Sequence, residues 1–334
     1  MAQSNSLSTP PPTPLQRLIS LLGTERRDIG YVYLYAIVAG LISLSLPLGI
    51  QAVFNLVSGG MVFSSVYVLI ALVIIGVVIS GLILIGQQVL VEVLQQRIFV
   101  KAAFEFTYRL PRIQPEALEG TNPPELMNRF FDVLTIQKGL PKLLIDLTAA
   151  VVQIVFGIIL LSFYHPVFIA FGIVTVLVVV GLILVLNSSA LKTSLNESKY
   201  KYKLVAWLET MAGRLTQIRQ QPSSFENMEH TDEYVAQYIQ YRNQHFNVLK
   251  RFYYSAVAFK TLITGGLLIL GTTLVVGREM TLGQFVAAEL VIVLVTSSVD
   301  KLIMSIDVVY DLLTAVEKIG NVTDLPLMSE EVAA

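Results

Sequence analysis

Cysteine is absent from the 334 residues, and histidine is scarce. Without thiols the chain has no disulfides, no thiolate metal ligands and no thiol nucleophile. The three histidines, His165, His230 and His245, are too far apart in sequence to form a metal-ligand motif. We therefore expect no metal site, no catalytic residues and no cofactor bound by this chain.

Charge is also scarce, and the two signs nearly cancel. Charged residues make up 14% of the sequence and hydrophobic residues 54%, which lies outside the usual balance of soluble globular domains. A net charge of −1 gives no reason to expect nucleic acid as a partner. The composition instead predicts an integral membrane protein.

The longest stretch without charge lies between Asp28 and Glu92. As a single helix it would be roughly 95 Å long, about three times the thickness of a bilayer core. The stretch must therefore cross twice, and the turn-forming sequence Ser-Gly-Gly at 58–60 is the point at which we expect it to reverse.

Two further apolar stretches divide in the same way. Residues 147–191 carry no charge and are interrupted at Pro166, which opposes continuation of a helix. The apolar run 261–276 is followed by Gly-Arg-Glu at 277–279 and then by another apolar run. The sequence therefore predicts an all-α membrane protein with six transmembrane helices in three hairpins, at about residues 29–57, 62–91, 143–163, 166–187, 257–277 and 281–303.

The basic residues lie almost entirely on one side of these spans. Residues 92–146 and 192–260 hold 17 of the 23 lysines and arginines, and the N-terminal segment adds three more. Only Arg278 lies in a connection on the opposite side. By the positive-inside tendency, the long connections 92–142 and 188–256 and both termini are cytoplasmic, and we expect the membrane to be the cytoplasmic (inner) membrane of a bacterium.

The N-terminal segment is polar and proline-rich, so it does not have the pattern of a secretory signal. We predict a disordered tail over residues 1–14, one membrane domain over 15–326 and a C-terminal tail over 327–334. Leucines at helical spacing in residues 15–22 fit either a short helix in the membrane interface or a frayed start of the first span.

The first long connection is too long for an ordinary loop and keeps the periodicity of helices. The second span is predicted to continue to Leu110, about 28 Å beyond the membrane, and to end at the proline-rich region 111–124. A new helix is predicted to begin at Pro123, with Asn122 as its cap.

The second long connection has the same form, and its tip is predicted near residues 199–208, where aromatic and basic side chains alternate. Such a surface suits the binding of a protein partner. The alternative is that Tyr200, Tyr202 and Trp207 pack the tips of the connections against each other.

Several short motifs follow one another along these predicted elements. The first predicted span contains LPLGIQ at 46–51, and the sixth begins with TLGQFVA at 281–287. The first long connection contains Glu125, Leu126, Arg129, Asp132 and Val133, and the second contains Leu208, Glu209, Gly213, Ile218 and Arg219. Glu317, Lys318 and Ile319 lie near the end. Together with the layout, they resemble the transmembrane domain of ATP-binding-cassette (ABC) exporters, in the branch that secretes peptides and toxins. The resemblance covers about residues 15–326. The chain departs from it at Asn-Pro-Pro, residues 122–124, where the family usually has Thr-Gly or Ser-Gly.

The resemblance implies that two such domains pair and that an ATPase docks beneath each of them. No G-x-x-x-x-G-K-[ST] phosphate loop occurs in the sequence, so this chain is not expected to be an enzyme, and ATP and Mg are expected on an ATPase subunit. The other implied partners are a second transmembrane subunit, identical or different, the lipid bilayer and a periplasmic adaptor. Whether the ATPase is a separate chain stays open. The residues implied to dock on it are Asn122, Glu125, Leu126, Arg129, Tyr200, Tyr202 and Trp207.

Polar side chains at membrane depth are candidates for the translocation pathway or its gate, because ionisable groups there usually face a cavity or a partner. Glu289 is the clearest, about 12 Å from the start of the sixth span. Its alternative role is that of a structural ion pair or a protonated buried acid. Lys260 lies near the inner interface, where its side chain could instead reach the headgroups. Gln51, Asn55 and Gln153 either line the cavity or form hydrogen bonds between helices.

The sequence thus favours the membrane-spanning permease subunit of an ATP-driven ABC exporter, with a peptide, a protein or a lipophilic compound as substrate. A channel or secondary transporter that needs no ATPase is one alternative, although it would favour more intramembrane charge and broken helices. A membrane-embedded assembly protein that recruits a partner through its tips is another.

Overall fold

The computed structural model describes residues 12–60, 64–118, 123–220 and 224–328, without the side chains of 123–125, 182–189 and 224–225. These ranges are helical, apart from turns and one isolated antiparallel bridge between Ile113 and Leu327. The helices are α1 (Pro14–Gly23), α2 (Arg26–Ser43), α3 (Ser45–Ser58), α4 (Ser64–Arg109), α5 (Pro123–Asn128), α6 (Asp132–Pro141), α7 (Thr148–Tyr164), α8 (Val167–Gly213), α9 (Leu215–Gln220), α10 (Ser224–Val276), α11 (Leu282–Met304) and α12 (Ile306–Thr323).

Helix α1 begins where the sequence supplies a capping box. The Thr13 hydroxyl accepts a hydrogen bond from the Gln16 backbone N–H, and the Gln16 side chain accepts one from the Thr13 N–H. Pro14 follows in the first turn, where its missing N–H costs nothing. Within the predicted N-terminal tail, residues 1–11 lie outside the described residues, whereas Thr13 and Pro14 form the start of a helix.

The described residues contain five helical segments long and apolar enough to cross a membrane: Arg26–Ser58, Ser64–Arg112, Leu126–Tyr164, Glu226–Val276 and Leu282–Thr323. Helix α8 adds a shorter apolar stretch, Val167–Gly181. The described part of the chain is therefore helical, and its apolar segments are those of an integral membrane protein. The count of six crossings stays a prediction, and each predicted span overlaps one of these apolar segments.

The short turns of the three hairpins lie near one end of the bundle. The Tyr164 hydroxyl donates a hydrogen bond of 2.9 Å to Gln51 Oε1, which joins the second hairpin to the first. His165 Nε2 and Glu279 Oε2 lie 3.1 Å apart, which joins the second turn to the third. The long connections therefore leave from the other end of the bundle.

Helix α11 lies at the centre of the bundle and packs on α3, α7 and α10. Small residues let these helices approach closely, as is common within membranes. A Cβ on Gly157 of α7 would lie 2.6 Å from Val295 Cγ2, and one on Gly271 of α10 would lie 2.6 Å from the Phe285 ring. Close packing at these glycines fixes the position of α11.

Helix α4 presents an apolar surface outward along its first half. The exposed side chains of this surface, all of them apolar or aromatic, include Tyr67, Val68, Leu72, Ile74, Ile75, Val78, Leu82 and Ile85. Such a surface is compatible with lipid and not with water.

Helices α4, α8 and α10 continue beyond the apolar stretches into the long connections, and we call these polar extensions the legs. Helix α4 ends at Arg109, one residue before the predicted end, because Pro111 follows. Helix α8 continues through Gly213, five residues beyond the stretch predicted to lie near the second tip, and the chain reverses after Arg214. Residues 199–208 are therefore the last turns of α8. The physical reason is that no glycine or proline interrupts the helix between residues 182 and 212.

The predicted C-terminal tail begins as a paired segment. The Gln114 backbone N–H donates to the Pro326 carbonyl at 3.0 Å, and the Met328 N–H donates to the Arg112 carbonyl at 2.7 Å. These bonds fix the chain after α12 against the end of α4. Residues 329–334 lie outside the described residues.

Candidate functional site

The first long connection folds back so that its short helix α5 meets the lower end of α8. Asn128, the last residue of α5, donates a side-chain hydrogen bond to the Glu209 carboxylate of α8. Leu126 is buried beside this contact in a small apolar group with Phe106 and Val322. The tips of both connections are therefore joined within one chain.

Asp132 and Tyr202 form a second link between the connections. Both side chains are buried, and the Tyr202 hydroxyl donates a hydrogen bond to the Asp132 carboxylate. Burial, followed by the charge of Asp132, raises the pKa of the Tyr202 phenol, so Tyr202 stays a donor at physiological pH. Lys318 Nζ of α12 lies 5.4 Å from the centre of the Tyr202 ring.

We call the five side chains in these two links the tip joint: Leu126, Asn128, Asp132, Tyr202 and Glu209. Two buried oxygens of the joint, Asp132 Oδ2 and Glu209 Oε2, have no hydrogen-bond partner among the described residues. A buried acceptor without a partner costs about 1–3 kcal/mol. The tip joint is thus a polar contact in which two carboxylate oxygens accept no hydrogen bond from the described residues.

Two of the aromatic residues predicted near the second tip pack α8 against α10. The Tyr200 ring stacks on Tyr241, with ring centres 4.3 Å apart and an angle of 11° between the planes. Trp207 Nε1 donates to Thr231 Oγ1 at 2.9 Å, and its ring lies 5.2 Å from that of His230. Both contacts hold α8 against α10 within the second connection, and of the three aromatic residues it is Tyr202 that contacts the first connection, through Asp132.

The residues predicted to dock on an ATPase divide into three groups in the structure. Asn122 lies outside the described residues, and the Glu125 side chain is also not described. Leu126 and Tyr202 are buried inside the chain, at 3% and 7% exposure, so a partner cannot contact them directly. Arg129, Tyr200 and Trp207 are half-buried at the edge of the joint.

Among the polar side chains exposed at the tips are four apolar ones that the sequence prediction missed. Met127 and Leu208 are neighbours of the hydrogen-bonded pair and are 50% and 45% exposed. Phe131 is 63% exposed, and Leu215 of α9 is 51% exposed. We call Met127, Phe131, Leu208 and Leu215 the tip face. An isolated apolar residue in a polar connection is the signal that could have revealed them.

The polar candidates in the membrane mostly bond between helices. The Ser298 hydroxyl donates to Gln153 Oε1 at 2.7 Å, and Lys260 Nζ lies 2.9 Å from Asp300 Oδ2. Gln51 accepts from Tyr164, as described above, and the Asn55 side chain lies against Gly283, where a Cβ would collide with it. Gln51 and Gln153 therefore accept hydrogen bonds from neighbouring helices, Lys260 forms an exposed ion pair, and Asn55 packs against Gly283.

Glu289 differs from these four. Its Oε1 atom is buried without a hydrogen-bond partner, and no ion pair reaches it in the described part of the chain. The described residues also contain no group of three or more His, Asp or Glu side chains placed to hold a metal ion.

The structural observations agree with a comparison to known protein families. A family model described as the ABC transporter transmembrane region matches residues 29–299, which is most of the chain. No curated protein sequence matches the chain significantly.

Proposed function

The chain belongs to the ABC transporter transmembrane family, and we propose that it is the permease subunit of an ATP-driven exporter whose tips dock on an ATPase. Membership of this family already implies that the chain is a membrane component of an ABC transporter. The direction of transport, the docking surface, the pairing and the substrate are the proposed parts.

The observation that carries the proposal is the joining of the two tips. The tip joint holds α5 against α8, so both connections end in one surface with the apolar tip face beside it. An exposed apolar group at the end of polar legs is typical of a protein interface. Since the 334 residues contain no phosphate loop, ATP and Mg belong to an ATPase that lies outside them.

The long helices supply the means of coupling. Helices α4, α8 and α10 are continuous from the membrane segments to the connections, with lengths of 46, 47 and 53 residues. Rigid helices of this kind transmit displacement as a unit, so a movement imposed on the tip face changes the packing of the spans. We propose that this movement opens the pathway alternately to the two sides.

Two copies of the domain, or this chain and a related one, are proposed to enclose that pathway. The proposed location is the bacterial inner membrane, with the tips and both termini in the cytoplasm, as the distribution of basic residues favours. The proposed substrate is a peptide, a protein or a lipophilic compound, and a periplasmic adaptor is a proposed further partner.

The proposal is tested by purifying the tagged chain from its own cells in mild detergent and identifying what is bound. We expect an ATPase with a G-x-x-x-x-G-K-[ST] loop to co-purify and the preparation to hydrolyse MgATP, whereas the 334-residue chain alone does not. Solute flux through the purified chain in liposomes without ATP or ATPase would overturn the proposal.

A further inference from the structure

One side of α11 is left uncovered by the other helices. The side that packs in the bundle carries buried apolar residues such as Val291 and Val295. The opposite side carries Glu289, Val293 and Ser297, four residues apart and half-buried or exposed. Because residues at this spacing share a helix face, they form one line, which we call the open stripe of α11.

The open stripe differs chemically from the surface that α4 presents outward. Apart from Ser64 and Ser65 at its start, the outward surface of the first half of α4 is apolar or aromatic, as contact with lipid favours. The open stripe places a carboxylate and a hydroxyl at membrane depth, and a carboxylate facing lipid is strongly unfavourable. The stripe therefore faces a cavity between paired domains and not lipid.

Glu289 has no basic neighbour to balance its charge. Lys260 is held by Asp300, with 2.9 Å between Nζ and Oδ2, at the inner end of the helix. Lys301 is twelve residues further along α11, which corresponds to about 18 Å of helix. Among the described residues no ion pair reaches Glu289. The stripe thus carries one half-buried acid without an ion-pair partner, whose Oε1 atom is buried, beside the exposed apolar side chain of Val293.

We propose that Glu289 recognises a positively charged group of the transported substrate, and that the substrate is an amphipathic cation, such as an organic cation or the basic part of a peptide. The carboxylate supplies the charge, Val293 an apolar contact and Ser297 a hydroxyl. The inference rests on the proposed function, since it assigns the substrate class of the same pathway.

The test uses two ions of similar size and shape but opposite charge, tetraphenylphosphonium and tetraphenylborate. Their binding to the chain in lipid nanodiscs is measured by equilibrium dialysis, with protein-free nanodiscs of the same lipid composition as the reference for partitioning into lipid. We expect Glu289→Gln to weaken phosphonium binding about tenfold and to leave borate binding unchanged. Glu289→Asp should keep most of the affinity for phosphonium.

Glu279→Gln is the matched control, because it removes a carboxylate from the outer turn of the same hairpin. It should bind phosphonium as the wild type does. Equal phosphonium binding by the wild type and Glu289→Gln would overturn the inference, and so would an equal loss in Glu279→Gln. If Glu289→Gln does not fold, Ser297→Asp serves instead: a second carboxylate on the same stripe, about two turns away, should tighten phosphonium binding, and no tightening would overturn the inference.

The ion-binding experiment and the co-purification experiment can give negative results independently of each other. Ion binding is measured on the chain alone and does not require an ATPase. If an ATPase co-purifies but the chain shows no preference for the cation, the permease assignment stands and the substrate inference is wrong. If no ATPase co-purifies, the permease assignment is wrong, regardless of the result of the ion-binding experiment.

Discussion

The Asn128 side chain donates a hydrogen bond to the Glu209 carboxylate across 81 positions of sequence. The two residues belong to different long connections, so this single contact joins the tips of both. With the buried pair Asp132 and Tyr202 beside it, a force applied at either tip acts on both legs. The predictions below test this joint, the packing above it and the orientation of the chain.

Replacing Tyr202 with Phe removes the donor to Asp132 while keeping the ring. A buried carboxylate then loses its hydrogen bond, so we expect the free energy of unfolding to fall by about 1–3 kcal/mol. Thermal unfolding of the purified protein in detergent measures the change. Tyr200→Phe is the control: its ring still stacks on Tyr241, and the hydroxyl contact with Tyr241 that it loses lies outside the tip joint, so the change should be smaller than in Tyr202→Phe. Equal losses in the two variants would contradict the role of the tip joint.

Arg17 anchors α1 to α12. Its side chain is 9% exposed and pairs with Glu317 at 3.1 Å and with Asp324 at 2.6 Å. Removing a largely buried charge leaves two carboxylates unpaired, so Arg17→Ala should destabilise the protein by about 2 kcal/mol. Arg97, which is 52% exposed and also pairs with two acids, provides the comparison.

The Arg97→Ala variant should lose less stability than Arg17→Ala, because exposed ion pairs contribute little. Both variants are compared by unfolding at low and at high salt. A larger loss in Arg97→Ala than in Arg17→Ala would show that α1 is not held by its buried arginine.

Gly157 allows α7 to approach α11. An added Cβ would lie 2.6 Å from Val295 and 3.3 Å from Val291, so Gly157→Ala should cost about 1–3 kcal/mol of stability through overpacking. Gly265→Ala is the matched control, because no atom lies within 4 Å of the position of its Cβ. The stability of both variants is measured as the yield of monodisperse protein after heating. An unchanged yield for Gly157→Ala would contradict this contact between α7 and α11.

Much of the fold follows from local sequence. The charge-free stretches locate the apolar helices, and Pro111 places the end of α4 to within one residue. Thr13 and Gln16 mark the start of α1 by a capping box that local sequence contains. These features depend on residues close together in the chain, and for that reason they could be predicted.

The tips could not be predicted in the same way. The aromatic and basic side chains at 199–208 indicate the neighbourhood of the second tip but not the reversal itself, which follows Gly213, where the first glycine after residue 181 interrupts α8. The partners of Tyr200 and Trp207 are Tyr241 and Thr231, more than twenty positions away, and no local pattern reveals them. The exposure of Phe131 likewise depends on how α5 packs on α8.

The absence of cysteine allows a clean test of orientation. Ser58 and Met127 are both exposed, in a short turn and at a tip respectively. We expect a membrane-impermeant maleimide to label Ser58→Cys in intact spheroplasts and to label Met127→Cys only after the membrane is opened. Labelling of Met127→Cys in intact spheroplasts would reverse the topology.

The docking of an ATPase on the tip face is tested most directly by a photo-reactive amino acid at Phe131, with Tyr67 on the lipid-facing side of α4 as the control position; both side chains are more than 60% exposed. After illumination of cells, cross-linked polypeptides are identified by mass spectrometry. We expect position 131, and not position 67, to cross-link to a polypeptide with a G-x-x-x-x-G-K-[ST] loop. Cross-linking of such a polypeptide at neither position, or at both equally, would contradict docking at the joined tips.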